Sequence, residues 1–362
     1  MSWKEDLKNN ITTVAALREH ITITDEEAIK MQDIIESYPM SIPTYYLSLI
    51  DKNDPQDPIK KMCIPSVYEM NLEGELDTSG ELSNTKEVGL QHKYPQTALI
   101  LSTNICAMYC RHCFRRRLVG QTDEEIAKAF DSIFEYISSH EEITNVLISG
   151  GDALLNNNKI IEYYLSRLTS VPHIKLIRYG TRTPVVLPSR IYDDSELLNI
   201  LKKYSSIKPI YFVTQFNHPR ELTAEAKKAI DSLTDNGIVV SNQTVLLKGV
   251  NDNSEVMIEL INKLNEFKIV PYYVFQCRPV SGVKSQFQVP IKTGYKILKE
   301  TKAHLNGHGK RFRYIMSHET GKIEIIGDLP SGETIFKYHQ AKNPADNSRI
   351  FIENLDENQC WL

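Results

Sequence analysis

The densest chemistry in this sequence lies in residues 102–120, which hold three of the six cysteines. Cys106, Cys110 and Cys113 follow a C-x3-C-x2-C spacing and come directly after an apolar run. Thiols four residues apart can face each other across a helical turn, but three so close together are better suited to a loop wrapped around a ligand. The same segment contains the arginines Arg111, Arg115, Arg116 and Arg117. The segment therefore predicts a site that is both soft-metal-binding and cationic.

These thiols allow three interpretations when they are considered as chemistry alone. Three thiolates on an iron–sulfur cube leave one iron without a protein ligand, and that iron can bind a small molecule. A zinc site needs a fourth ligand, and His112 is the nearest candidate, although its place between Cys110 and Cys113 makes tetrahedral closure awkward. The cysteines could also carry no ligand. The spacing favours the iron–sulfur interpretation over the other two.

The elements that must position this segment alternate between strand and helix. Apolar runs typical of buried parallel strands occur at 98–102, 145–149, 174–179, 210–214, 239–246 and 270–276. Amphipathic stretches of helical length lie between them at 123–138, 194–204, 224–236 and 254–267. Six β-α repeats predict an α/β fold, a partial (β/α)6 TIM-type barrel with its function at the carboxyl ends of the strands.

The flanking segments have different patterns. Residues 1–50 are expected to be helical, with Thr24 as the N-cap of a helix whose first turn is acidic. Residues 51–95 predict an ordered but irregular connector, for which a flexible linker is the alternative. Short β-like pieces follow at 312–316, 322–326, 334–338 and 350–353. We therefore expect a helical extension with its connector (1–95), a barrel (96–310) and a β-rich C-terminal segment (311–362).

The bulk composition excludes several classes of protein. The 362 residues are 41% hydrophobic and 24% charged, which is typical of a soluble globular protein. A net charge of −4 gives no general attraction to nucleic acid or to an anionic membrane. No apolar stretch approaches the roughly 20 residues that cross a bilayer, and the N-terminus lacks the apolar region of a signal peptide. We expect a cytoplasmic protein with reduced cysteines and with neither a nucleic-acid nor a membrane partner.

The segment CAMYCRHCFRRRLVGQ resembles the lysine 2,3-aminomutase family of radical S-adenosylmethionine (SAM) enzymes. The likeness continues in NVLISGGDALL, RYGTRTPVVLPSRI, FNHPREL, NQTVLLKGVND and PYYVFQC, and it covers about residues 55–325. The resemblance implies a [4Fe–4S] cluster on Cys106, Cys110 and Cys113 with SAM on the fourth iron. It also implies a flavodoxin- or ferredoxin-type electron donor, whose electron allows SAM to be cleaved to methionine and a 5′-deoxyadenosyl radical.

The resemblance further implies two sets of residues at SAM. Gly150, Gly151 and Asp152 match the family motif on the second strand, which receives the SAM amino group. Glycine lets a backbone approach a ligand closely, and a carboxylate can accept a hydrogen bond from an ammonium. A simple tight turn is the alternative for these three residues. Gln243 lies at a family position that is expected near SAM.

The family also carries pyridoxal 5′-phosphate (PLP) on a lysine, which corresponds here to Lys322. Of the glycine run around that lysine in the family, only Gly321 remains. From the residues alone, Thr320-Gly321-Lys322 is a turn entering a strand, and its lysine would be solvated. Lys93 and Tyr94 match a family arginine and tyrosine that meet PLP, although Lys93 lacks the forked geometry suited to phosphate.

Arg115 matches the family arginine that binds the substrate carboxylate, to which a guanidinium offers two parallel donors. Arg116 and Arg117 could be solvated or in ion pairs. Lysine mutases hold the far amino group of lysine with two aspartates, and these positions are Arg278 and Ile315 here. Because an arginine repels an ammonium, we expect a substrate with a negative or neutral side chain. Arg278 could instead turn away and pair with a local acid.

The resemblance thus implies a radical SAM isomerase that moves an amino group from the α to the β carbon of an amino acid. The alternatives are a PLP-independent radical SAM enzyme acting on another small molecule or a peptide, and an iron–sulfur protein without turnover. The family's structural zinc cysteines are missing, since Cys360 stands alone and Asn253 replaces another. A zinc-linked homo-oligomer is not expected, whereas pairing of subunits through the helical N-terminus stays open.

Overall fold

The predicted parallel strands lie side by side in one sheet. A computed structural model describes residues 3–362 of the chain, and within them twelve strands follow one another in chain order. They are β1 (Thr85–Glu87), β2 (Leu90–Tyr94), β3 (Thr97–Leu101), β4 (Asn145–Ser149), β5 (Leu176–Gly180), β6 (Ile210–Thr214), β7 (Val239–Leu246), β8 (Val270–Gln276), β9 (Arg313–His318), β10 (Gly321–Asp328), β11 (Thr334–Ala341) and β12 (Ile350–Glu353). Strands β3 to β9 are parallel, and the others pair antiparallel.

Helices fill the connections between the parallel strands and most of the N-terminal part. They are α1 (Trp3–Lys8), α2 (Val14–Arg18), α3 (Asp25–Ser37), α4 (Thr44–Leu47), α5 (Pro58–Cys63), α6 (Glu81–Asn84), α7 (Phe130–Ser139), α8 (Asn158–Ser170), α9 (Thr183–Val186), α10 (Ser189–Tyr192), α11 (Ser195–Ser205), α12 (Ala224–Asp235), α13 (Ser254–Glu266), α14 (Lys284–Phe287) and α15 (Ile291–Ala303). Short 3-10 turns lie at Val67–Met70, Ala153–Leu155, Pro219–Glu221, Gly309–Arg311 and Pro344–Asp346. Among residues 3–362, no helix has the length and apolar character that crossing a membrane requires.

The six predicted β-α units are present. One long helix lies between each pair of successive parallel strands, namely α7, α8, α11, α12, α13 and α15. The predicted α/β barrel architecture is therefore confirmed. β9 adds a seventh parallel strand, although its residues are predicted to belong to the C-terminal segment. Because β9 pairs with β8, the sheet continues without a break across residue 310.

Capping side chains set the starts of several helices. The Thr24 hydroxyl accepts a hydrogen bond from the Glu27 backbone N–H at 3.2 Å, and the Glu27 carboxylate accepts one from the Thr24 N–H at 2.9 Å. This capping box satisfies two otherwise unpaired donors and confirms the predicted start of α3. Asp194 and Asn253 cap α11 and α13 through their side chains. The buried face of α13 then packs Met257, Leu260, Ile261 and Leu264 against the sheet.

The helix predicted over 123–138 is only half present, because α7 begins at Phe130. The Ala127 N–H donates to the Leu101 carbonyl at 2.8 Å, and Ile126 is buried in a small cluster with Leu101. A Cβ on Gly89 would lie 2.3 Å from the Ala127 nitrogen, so this segment lies tightly against the end of β3. The apolar residues around Ile126 therefore pack against the sheet and do not form one face of a helix.

The connector of residues 51–95 is ordered against the core, which agrees with the predicted wrapping and not with a flexible linker. It is less irregular than predicted, since it contains α5, α6 and two strands. Glu75 forms a bridge with Val280, and a Cβ on Gly74 would lie 2.2 Å from the Pro279 carbonyl oxygen. The sequence of β2 does not predict a strand because it is polar. The strand nevertheless pairs with β3 and is therefore part of the barrel sheet.

A buried glutamate of the connector pins it to the cysteine segment. Glu69 accepts hydrogen bonds from Arg111 Nε at 2.9 Å and from Arg116 Nη2 at 2.6 Å, and its side chain is 0% exposed. The Arg116 guanidinium also stacks on Tyr38 at 3.5 Å from the ring centroid. Arg116 is thus in an ion pair and is not solvated.

We expect Glu69→Gln to lower the free energy of unfolding by about 3 kcal/mol, because it leaves two buried guanidiniums without a counter-charge. Chemical denaturation of wild type and variant measures the difference. Glu26→Gln is the matched control, since it removes an exposed carboxylate paired with Lys30 and should leave stability nearly unchanged. Equal stability of the wild type and the Glu69 variant would contradict the prediction.

Candidate active site

The three cysteines lie on the loop that follows β3, at the carboxyl end of the first barrel strand. This loop consists of turns, and all three thiols are free. Burial raises the pKa of Cys106 well above its usual value and raises the pKa of Cys113 to about 11. A bound metal centre would therefore have to displace thiol protons. Three free thiols on one loop are the donor set of an iron–sulfur cluster with one open iron.

His112 is turned toward amide groups. Its Nε2 lies 3.3 Å from the side-chain nitrogens of both Gln215 and Asn217. Burial, reinforced by the charge of Arg182, holds its pKa well below the usual value. Within residues 3–362, no three His, Cys, Asp or Glu side chains converge closely enough to hold one metal ion. Because a cube of four irons spreads its ligands more widely than one ion does, this geometry does not favour the zinc interpretation.

The turn after β4 packs directly against the cysteine loop. The Gly151 N–H donates to the Thr103 carbonyl at 2.5 Å, and the Asp152 N–H donates to the Ile105 carbonyl at 2.8 Å. A Cβ on Gly150 would lie 2.2 Å from the Thr103 oxygen, and one on Gly151 would lie 2.4 Å from the Ile105 oxygen. The fold itself therefore requires both glycines, because they support the loop that carries the cysteines.

The Asp152 carboxylate is engaged inside the protein. One oxygen accepts from the Thr181 hydroxyl at 2.6 Å and from the Leu154 N–H at 3.1 Å, and the other accepts from the Arg182 N–H at 2.7 Å. Burial raises the pKa of Asp152 above its usual value, and these hydrogen bonds oppose the shift. Asp152 thus braces the β4 turn against the end of β5. An ammonium at its oxygens would share them with these protein donors.

Arg115 lies in the cysteine loop with a counter-charge already beside it. Its Nε donates to Glu81 at 2.7 Å, and its Nη1 donates to the Ser149 hydroxyl at 3.1 Å and to the Gly150 carbonyl at 3.4 Å. Glu81 also accepts from Arg117 at 3.1 Å, so Arg117 is in an ion pair. Among residues 3–362, no group accepts a hydrogen bond from Nη2 of Arg115. Nε and Nη1 of the guanidinium are therefore engaged inside the protein, and Nη2 is the remaining donor nitrogen.

Phe114 connects the cysteine loop to the second arginine of the predicted substrate site. Its ring centroid is 4.7 Å from Cζ of Arg115 and 4.3 Å from Cζ of Arg278. Arg278 donates from Nη2 to Ser317 at 2.8 Å, and its buried Nη1 has no partner in the described part of the chain. Ser317 in turn pairs across the sheet with Lys322. Arg278 therefore forms no ion pair with a local acid among these residues and stays in the site.

The three residues predicted to meet PLP lie close to one another. Lys322 is half-buried on β10, with Nζ 5.4 Å from the Tyr94 ring centroid and 5.6 Å from that of Tyr273. Lys93 extends from β2, and its Nζ donates to the His318 carbonyl at 2.8 Å. Lys322 is therefore part of the sheet and is not a solvated turn lysine.

Burial and positive neighbours weaken proton binding at both lysines. Burial, together with the charges of Arg178, Lys93 and Arg278, lowers the pKa of Lys322 to about 7. Burial also lowers the pKa of Lys93 to about 8, and it lowers the pKa of Arg278 to about 10. An amine with a pKa near neutrality is uncharged much of the time and can act as a nucleophile. The pocket thus combines a reactive amine with a positive potential.

Gln243 lies near this pocket. It is half-buried on β7 and pairs in the parallel register with Tyr273, the residue beside Lys322. Within residues 3–362, its side chain forms no hydrogen bond. The neighbouring Asn242 is instead bound to the Phe216 backbone at 2.7 and 3.0 Å. Gln243 therefore has a free amide close to the predicted cofactor residues.

The sequence predicts no role for two residues of the site, Glu81 and Arg182. Glu81 supplies the counter-charge of Arg115, but nothing in the connector sequence distinguishes it. Arg182 donates from Nη1 to the sulfur of Cys110 at 2.8 Å. Its place directly after β5 is a signal that could have found it, because functional residues gather at the carboxyl ends of barrel strands.

The superfamily model named "Radical SAM superfamily" matches residues 100–261, which include the cysteine loop and the β4 turn. An L-lysine 2,3-aminomutase from Clostridium subterminale is 42% identical over 309 residues, covering 84% of this chain and 73% of that protein. A glutamate 2,3-aminomutase from Clostridioides difficile (strain 630) is 41% identical over 308 residues, covering 84% and 72%. A candidate L-lysine 2,3-aminomutase from Aquifex aeolicus (strain VF5) is 39% identical over 342 residues, covering 94% and 91%.

The chain belongs to the lysine 2,3-aminomutase family of radical SAM enzymes. The resemblance noted from the cysteine segment is thereby confirmed. The chain is a radical SAM isomerase, and the superfamily match supports a [4Fe–4S] cluster and SAM as its cofactors. Because the lysine and glutamate enzymes are almost equally similar to this chain, overall identity does not decide between their substrates.

The pKa of about 7 predicts how the reactivity of Lys322 depends on pH. We expect its rate of acylation to rise up to about pH 7 and to level off above, because the uncharged amine is the nucleophile. A free lysine peptide should keep reacting faster up to pH ~10. Pulse labelling with an acylating reagent, followed by peptide mass spectrometry, measures both rates. The Lys322→Arg variant shows which labelled peptide comes from Lys322, because that signal is lost in it. A Lys322 profile that follows the free peptide would contradict the prediction.

Proposed function

We propose that this chain is an amino-acid 2,3-aminomutase that acts on a substrate with an anionic or neutral side chain, and not on lysine. The observation that carries this proposal is Arg278. Its guanidinium is buried beside Ser317 and Phe114, and its Nη1 has no partner among the described residues. A buried donor without an acceptor is costly unless a ligand completes it.

The cysteine loop would provide the radical source. Cys106, Cys110 and Cys113 would hold the [4Fe–4S] cluster, since they are free thiols on one loop. Gly150 and Gly151 would keep that loop in place, and the amide of Gln243 would be available to SAM. With a low-potential electron donor of the flavodoxin or ferredoxin type, the cluster and SAM would supply the radical chemistry for hydrogen abstraction from the substrate.

The lysine pocket would hold PLP, and its residues fit that group. The Lys322 amine is largely uncharged near neutral pH and can bond to the PLP carbonyl carbon. Lys93 adds positive charge for the phosphate, and Tyr94 supplies an aromatic wall beside Lys322. Bound PLP would supply an electron sink while the amino group moves between neighbouring carbons.

The substrate would lie between the cysteine loop and Lys322, where two arginines flank Phe114. Nη2 of Arg115 can donate to the α-carboxylate, because Glu81 accepts from Nε and leaves Nη2 available. Nη1 of Arg278 can donate to a side-chain carboxylate or carbonyl. An ammonium group would instead meet the positive charge of Arg278 and the fully buried, apolar Ile315. Lysine is therefore the wrong substrate on electrostatic grounds.

Lys322→Ala should abolish PLP binding, because it removes the amine that would bond to the PLP carbonyl carbon. The measurement is the visible absorbance of protein-bound PLP in purified wild type and variant. The variant should keep its iron content and its ability to cleave SAM, since the cysteine loop is untouched. Lys203→Ala is the control and should keep PLP, because Lys203 is an exposed residue of α11 that pairs with Glu162.

Wild-type protein that binds no PLP yet releases 5′-deoxyadenosine from SAM would contradict the PLP assignment. It would favour a PLP-independent radical SAM enzyme. Wild-type protein that binds the cluster but cleaves no SAM would favour an iron–sulfur protein without turnover.

Glutamate, aspartate or a neutral amino acid should give faster β-amino acid formation than lysine in a substrate panel. For the preferred acidic substrate, Arg278→Gln should lower kcat/KM about 10- to 100-fold, because a charged hydrogen bond contributes roughly 1.5–3 kcal/mol. Chromatography of the product and of 5′-deoxyadenosine measures both. If lysine were turned over as fast as the other amino acids, the substrate assignment would be contradicted.

Arg349→Gln is the control for the loss of an arginine. Arg349 pairs with Asp346 and stacks on Tyr338 near the C-terminal strands, away from the site. Its kcat/KM should match that of wild type. An equal loss in the Arg349 and Arg278 variants would show a general effect on the fold and would remove the support for a substrate contact.

A further inference from the structure

We propose that Arg182 is a positioning residue of the iron–sulfur cluster, which donates an N–H···S hydrogen bond to Cys110 and thereby makes the cluster easier to reduce. The inference rests on the proposed function, because it requires Cys110 to be a cluster ligand. It assigns a role in electron transfer to a residue outside the cysteine, SAM, PLP and substrate sets described above.

The contact is direct and sets Cys110 apart from the other two cysteines. Nη1 of Arg182 lies 2.8 Å from the sulfur of Cys110. Within residues 3–362, no side chain donates a hydrogen bond to the sulfur of Cys113 or to that of Cys106. Arg182 is thus the one side chain in the described part of the chain that donates to a thiol of the loop.

The guanidinium of Arg182 is held before any cluster binds. Its Nε donates to the Gln215 carbonyl at 3.1 Å, and its Nη2 donates to Glu221 at 2.5 Å and lies 3.3 Å from the Tyr46 hydroxyl. Only 9% of Arg182 is exposed. Since these contacts surround the planar group, it cannot turn to solvent when the sulfur becomes a ligand. The hydrogen bond to Cys110 is therefore preorganised.

Glu221 determines what Arg182 can contribute. It is 0% exposed and also accepts from the Tyr46 hydroxyl at 2.6 Å and from the Asn217 N–H at 2.6 Å. The carboxylate offsets part of the arginine charge, and the sulfur also experiences the dipole of the N–H that points at it. Hydrogen bonds to cluster sulfurs raise the reduction potential, because they stabilise the added negative charge.

Reduction adds one electron to the cluster from a low-potential one-electron donor, for which dithionite serves in vitro. No bond breaks at Arg182 and no proton leaves it. Loss of Arg182 would act in two ways with the same sign. It would remove the hydrogen bond, and it would leave the Glu221 carboxylate buried and uncompensated beside the cluster. Both effects disfavour an additional electron.

The test is an anaerobic redox titration of the reconstituted, SAM-free protein, followed by electron paramagnetic resonance. Arg182→Gln should lower the ratio of reduced to oxidised cluster at a fixed potential about tenfold, which corresponds to ~59 mV for one electron. Arg182→Lys should shift the potential less. The double variant Arg182→Gln/Glu221→Gln should shift it in the same direction by a smaller amount, because it leaves no unpaired carboxylate.

Arg190→Lys is the matched control. Arg190 is also a buried arginine, paired with Asp194 at 2.8 Å, but it contacts no cysteine. The reduction potential of the cluster in the Arg190→Lys variant should equal that in wild type. The double variant keeps the test valid where Arg182→Gln fails to fold.

Variants with wild-type iron content and wild-type potential would overturn the proposal. A shift that arises only after SAM is added would also overturn it, because Arg182 would then act on SAM and not on the cluster. If wild-type protein itself binds no [4Fe–4S] cluster, the proposed function fails first, and that result is distinct from an unchanged potential in a clustered variant.

Discussion

The burial of arginine charge beside the cysteines is the constraint on which the surrounding structure depends. Arg111, Arg115 and Arg116 are 3–7% exposed, and guanidiniums at this depth need counter-charges. Both counter-charges, Glu69 and Glu81, come from the connector and not from the barrel. The connector is therefore ordered because the loop requires its carboxylates. The cysteine loop in turn keeps its shape because those carboxylates hold its arginines from outside the sheet.

In the pocket around Lys322, by contrast, positive side chains lie close together. Arg178, Lys93 and Arg278 all lower the pKa of Lys322, and no acidic side chain among the residues that the structure describes opposes them there. Positive charges placed this close together cost stability, and proteins retain such local conflict mainly at functional sites. Here a single cause has two useful effects. It deprotonates an amine, and it attracts anionic groups. Aromatic rings beside Lys322 and Arg278 offset part of the repulsion through cation–π contacts.

Apolar runs in the sequence predicted the parallel strands of this fold well. The bounds of β4, β6, β7 and β8 agree with their apolar runs, because a buried parallel strand is apolar along its whole length. The predicted start of α7 was wrong, because Ile126 is buried by contact with Leu101, which is far from it in the sequence. The same difference separates the site residues. The cysteines are visible as a motif, whereas Glu81 reaches the loop only through a tertiary contact that no local spacing encodes. Arg182 lies directly after β5, but its contact with Cys110 is likewise visible only in the fold.

The continuous sheet also has a consequence for the order in which the protein can assemble during synthesis. Glu69 and Glu81 precede the cysteines in the chain, so the counter-charges leave the ribosome before the arginines they neutralise. Lys322 lies on β10, which pairs with β9 only after every preceding strand has been made. A nascent chain can therefore complete the surroundings of the thiols early but the amine pocket only at the end. Metal capture and attachment of a carbonyl cofactor would then be successive stages of maturation.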